Sequence, residues 1–81
     1  MSEGRHSITF ALIAEEVARA RAKHPTWPVY DHLYAAAIVM EEAGELMRAA
    51  VQMKGEGGTF AGCDIEAIQT AATCIRFLER K

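Results

Sequence analysis

Two interruptions decide what this chain can become. Pro25-Thr26-Trp27-Pro28 cannot continue a helix, because proline lacks a backbone N–H and drives the residue before it out of the helical region. Gly55-Glu56-Gly57-Gly58-Thr59-Phe60-Ala61-Gly62 concentrates glycine, which is costly in a regular helix. The segments around these breaks are rich in alanine, and none alternates polar and apolar residues as a half-buried strand would. The sequence therefore reads as all-α: one domain over residues 1–81, built from three helices. The first is expected from Ser7, as N-cap, to Lys23; the second from Asp31, as N-cap, to Lys54; the third from Asp64, as N-cap, to Leu78 or beyond. The second would be roughly 35 Å long at about 1.5 Å per residue.

The apolar residues of these helices do not fit a lone protomer. Phe10, Ile13, Val17 and Ala20 share one face of the first helix, while Ile8 and Leu12 lie on another, which calls for a second contact. A chain of 81 residues, 51% of them apolar, buries only about 60% of its unfolded surface. Two cysteines, Cys63 and Cys74, are too few for a disulfide framework, and they read as free thiols in a reducing, cytoplasmic setting. Oligomerisation is the remaining solution, and the expected architecture is a three-helix protomer in a dimeric helical bundle. Met40, Met47 and Met53 are expected to fill its core or interface. A net charge of −2 without a basic patch argues against a nucleic-acid polymer as partner. The longest apolar stretch, near Tyr34–Met40, is far below the roughly 20 residues of a membrane span, and the polar start Met1–His6 is no signal peptide.

The chemistry concentrates in Glu41-Glu42-Ala43-Gly44-Glu45. At about 100° per residue, Ile38, Ala49, Ala35, Met53, Leu46 and Val39 form the apolar stripe of the second helix. Glu42 falls inside that stripe, Glu45 on its border one turn later, and Glu41 further round, towards Tyr34 and Arg48. A carboxylate on a buried face needs a proton, an ion pair or a metal. Glu42 and Glu45, at i and i+3, aim at one point beside the helix, and two such oxygens suit Mg²⁺. The same spacing also occurs on solvated faces, where Glu45 would pair with Arg48. On the third helix Glu66, Gln69 and Thr73 share a polar wedge, so antiparallel packing would set its acid against those of the second. Without a metal, Glu66 is equally an acid favoured by a helix N-terminus, and Gln69 an interhelical hydrogen bonder.

The pattern Glu41-Glu42-x-x-Glu45, about twenty residues, then Glu66-x-x-Gln69 resembles the MazG-like all-α nucleoside triphosphate pyrophosphohydrolases, whose motif is EExxE followed by ExxD. The tryptophan-bearing linker and Ala67-Ile68-Gln69-Thr70-Ala71-Ala72 resemble a small phage-like or mobile-element branch of that family. The resemblance implies that Glu42, Glu45 and Glu66 bind Mg²⁺, with Gln69 standing where the motif has Asp. It further implies a nucleoside triphosphate substrate, release of pyrophosphate, and a homodimer or tetramer. Glu41 would orient or deprotonate the attacking water, while Lys54, Arg48 or Arg76 would meet phosphate charge. Trp27, Tyr30 and Tyr34 would stack on the base. Gln69 removes one charge from the motif, which favours an alternative, a catalytically weakened helical dimer that binds a nucleotide or a protein.

Overall fold

In a computed structural model, which describes residues 2–55 and 57–80, helix α1 spans Ser2–Lys23, α2 His32–Gly55 and α3 Phe60–Leu78. No strand occurs among the described residues, so the all-α expectation holds. Each boundary has a local cause. His24-Pro25 stops α1. Asp31 caps α2, its Oδ1 accepting the Tyr34 N–H at 2.9 Å. Beyond α2, Gly57 takes a left-handed φ of +79°, and a Cβ on Gly58 would lie 2.7 Å from the Met53 nitrogen, so both positions require glycine. Glu56, in the same loop, lies outside the described residues.

Two of the expected caps are corrected. Helix α1 starts at Ser2, not Ser7; with no proline ahead of it, nothing halts the helix at Ser7. Helix α3 starts at Phe60, not Asp64: the Thr59 hydroxyl accepts the Gly62 N–H at 3.0 Å, so the cap forms one turn earlier and Gly62 is absorbed into the first turn. Glu66 then lies well inside α3, beyond the first turn where the helix dipole favours an acid.

Helix α3 packs against both other helices, while α1 and α2 do not pack on each other. Helix α2 runs antiparallel to α3, with Cys63 Sγ 3.7 Å from Met53 Sδ near one end and Thr70 Oγ1 3.2 Å from the Glu42 carbonyl further along. Helix α1 runs parallel to α3, joined near its C-terminus by the Arg21–Glu79 ion pair. Arg76 of α3 makes the tightest joint. It is only 8% exposed, donates to the Ala20 and His24 carbonyls at the end of α1, and lies 5.6 Å from the centre of the Trp27 ring. Here a guanidinium fork bridges the His24 carbonyl and the Ala20 carbonyl, which also accepts the His24 N–H, and lies over an indole, an arrangement a lysine cannot imitate.

The protomer is open. Its buried apolar residues are Val17, Ala35 and Ala72, with no large side chain fully enclosed. The radius of gyration is 13.9 Å, against about 12 Å for a compact chain of this length. Its accessible surface is 6165 Å², against about 4,800 Å² for a compact monomer of this mass. No helix among the described residues is long and apolar enough to cross a membrane.

The Arg76 joint yields a stability prediction. Arg76→Ala should lower unfolding free energy by about 2 kcal/mol, because it strips the His24 carbonyl of its charged hydrogen bond and removes the guanidinium from Ala20 and Trp27. Arg76→Lys should restore less than half of that in a urea titration. Full rescue by lysine would mean that charge alone, without the fork, holds α1 to α3.

Candidate functional site

The antiparallel pairing of α2 and α3 brings three carboxylates together. One oxygen each of Glu42, Glu45 and Glu66 lies within 4.8 Å of the other two. Glu42 and Glu66 are half-buried and Glu45 is exposed. The Oε2 atoms of Glu42 and Glu66 are enclosed and have no hydrogen-bond partner. Thr70 holds the two helices in this register: its Oγ1 lies 2.8 Å from the Glu66 carbonyl and 3.2 Å from the Glu42 carbonyl. Its single proton is thus shared between the backbones that carry two of the acids.

Such a cluster is electrostatically strained when empty of cations. Burial pushes the Glu42 carboxyl above the ordinary glutamate range, and neighbouring Glu45, Glu66 and Glu41 push it further the same way. The ion pairs among the described residues are Arg19–Glu16 and Arg21–Glu79. Glu45 therefore does not form the expected alternative pair with Arg48. Two enclosed, unpartnered carboxylate oxygens and a third carboxylate nearby are a donor set that fits a hard divalent cation.

Glu42 also borders a cavity of about 680 Å³ between α1 and α2, floored by α3. On the α3 side it is lined by Gln69, Thr73 and Arg76, and on the α2 side by Tyr34, Ile38 and Glu42. Trp27 closes it from the linker, and Glu16, Arg19, Lys23 and His24 form the opposite wall. Arg19 is held by a fork to Glu16, whose carboxyl is lowered by that hydrogen bond. The cavity is therefore acidic at the Glu42 side, while the end of α1 carries the mutually neutralising Arg19–Glu16 pair and the cation of Lys23.

The sequence expectations divide accordingly. Glu42, Glu45 and Glu66 are brought together, and Gln69 shares the cavity with Glu42. Trp27, Tyr34 and Arg76 also line it, although two of Arg76's donors are committed to α1 carbonyls. Glu41 is exposed beside the cluster and is not one of the three converging acids. Lys54, Arg48 and Tyr30 are exposed and do not line this cavity; Lys54 lies near the far end of α2, nine residues beyond Glu45. Arg19, Lys23 and His24 escaped the sequence reading. Their spacing is ordinary for a solvated helix end, and only the packing of α1 on α3 turns them towards Glu42. Comparison of the chain with protein-family models, with curated proteins and with solved structures finds no match.

The raised Glu42 pKa has a definite sign in stability. A neutral Glu42 favours the folded state, so this contribution is complete at low pH. It is lost as pH rises above the ordinary glutamate value of about 4.3 and through the raised one. In chelator, Glu42→Gln should raise Tm relative to wild type, and its advantage should grow as pH rises above about 4.3 and level off once the native Glu42 is ionised. A difference that stays flat with pH would show that Glu42 ionises without cost.

Proposed function

We propose that the chain is a Mg²⁺-dependent nucleoside triphosphate pyrophosphohydrolase, forming a nucleoside monophosphate and pyrophosphate. The observation that carries this reading is the convergence of Glu42, Glu45 and Glu66 across two helices, with Glu42 opening onto a cavity whose far wall carries Lys23 and the Arg19–Glu16 pair. The likeness of Glu41-Glu42-x-x-Glu45 and Glu66-x-x-Gln69 to the MazG-like motif supports it.

In this reading Glu42, Glu45 and Glu66 hold the metal, with Gln69 contributing a neutral carbonyl oxygen. Bound Mg²⁺ supplies charge neutralisation at the phosphates and lowers the pKa of a coordinated water. Lys23 and Arg19 replace Lys54 as the groups meeting phosphate charge, since they stand on the cavity wall and Lys54 does not. Trp27 and Tyr34 offer faces for the base, and Tyr30 is left out. Water adds to the α-phosphorus, the bond to the α–β bridging oxygen breaks, and the proton leaves towards Glu41, which is exposed beside the cluster and is not one of the three acids that would hold the metal. The working unit is a homodimer in a reducing, cytoplasmic setting. Gln69 favours a second reading, a nucleotide- or protein-binding dimer with weakened catalysis, because the site has three carboxylates where the family motif supplies a further Asp.

Pyrophosphate release from a panel of nucleoside triphosphates, with Mg²⁺ and with chelator, separates the two. We expect Mg²⁺-dependent release that Glu42→Gln reduces by at least about a hundredfold. Gln69→Asp should tighten Mg²⁺ binding by roughly tenfold, an added carboxylate in place of an amide. Nucleotide binding without release from any member of the panel would favour the binding module instead.

A further inference from the structure

Helix α2 carries a second apolar face, opposite the one that packs on α3. Leu33, Ala37, Met40, Gly44, Met47 and Val51 are spaced alternately by four and three residues, the repeat of a coiled-coil seam. All six are exposed: Leu33 is 86% accessible, Met40 69%, Met47 65% and Val51 53%. Glu42, nine residues from Leu33, lies on the far side of the same helix.

Gly44 at the centre of this seam is unexplained within the protomer. A glycine inside a helix costs about 1 kcal/mol relative to alanine. A Cβ built on Gly44 would meet no atom within 4 Å, so nothing in the chain itself demands its absence. A close approach by another helix would demand it.

We propose that this face binds the same face of a second copy in antiparallel orientation, about a two-fold axis between Glu45 and Leu46. The pairing that sets Gly44 against the partner's Met47 also sets Met40 against the partner's Val51, so each methionine meets a smaller residue. It brings Glu41, which flanks the seam, beside the partner's Arg48, and the two-fold repeats that pair. A parallel pairing would stack Met40 on the partner's Met40 and leave Glu41 beside alanines, with no opposite charge. The protomer exposes on the order of 1,300 Å² more than a compact chain of its mass, enough for the roughly 800 Å² that each partner contributes to a stable interface. The acid cluster faces away from the seam, so both clefts stay open. This inference gives the homodimer of the preceding section its surface, and it stands without the metal reading.

Sedimentation equilibrium of the full chain, in chelator and without nucleotide, tests it. The wild type should be a dimer. Glu41→Arg and Arg48→Glu should each weaken dimerisation by at least about tenfold, and the double swap should return it to within about threefold of wild type. Gly44→Leu should be monomeric with undiminished helicity by circular dichroism, since Gly44 is exposed and a Cβ there meets no atom of the protomer. A monomeric wild type overturns the proposal. So does a dimer that none of these changes affects, or a double swap no better than the worse single. Loss of helicity in Gly44→Leu would overturn the claim that glycine there serves only the interface.

Discussion

Among the described residues, helix α3 is the element that touches both of the other helices, and the rest of the molecule follows from that constraint. One side of α3 anchors α1, through the Arg76 fork on the Ala20 and His24 carbonyls. Another anchors α2, through Thr70 on the Glu42 carbonyl and Cys63 beside Met53. Because α1 and α2 stay apart, the space between them is a cleft floored by α3, not a core. That explains how a half-apolar chain can have so few buried large side chains.

The cleft is also why an acid can occupy the packed face of a helix. Glu42 is placed by the same α2–α3 contact that buries Ala35, yet it stands at the cleft's edge, where a cation and a ligand have access. Without a cation its carboxyl is raised by burial and by three neighbouring acids, so structure and electrostatics oppose each other at this one position. Such a conflict between packing and charge singles out this position as the candidate site. The opposite conflict, apolar residues facing water, lies on the other side of the same helix and asks for a protein partner instead.

Much of this was legible in the sequence, for identifiable reasons. Proline and glycine mark breaks whose backbone requirements are local, so three helices were readable, and the Asp31 cap with them. The angular position of Glu42 within an apolar stripe is fixed by helix geometry alone, which is why its conflict could be seen in advance. The caps at Ser7 and Asp64 were misread because several polar residues compete to start a helix at similar cost, and Thr59 and the free run of α1 decide it. The wall of Arg19 and Lys23 was hidden because the direction they face depends on α1 lying parallel to α3, a tertiary fact. Lys54 and Tyr30 lie off this cleft for the same reason: sequence proximity to the cluster does not turn a side chain towards it.

Seen together, one helix separates two tasks. Its inner face presents the carboxylates to α3 and the cleft, and in the dimer proposed above its outer face would present a seam to a second copy, leaving the site open. The central claim is that Glu42, Glu45 and Glu66 form one cation site. Anomalous diffraction from crystals soaked in Mn²⁺, a stand-in for Mg²⁺, tests it most directly. A single strong peak at about 2.1 Å from oxygens of all three carboxylates is the result expected. No peak at the cluster, or a peak coordinated by other residues, would contradict it.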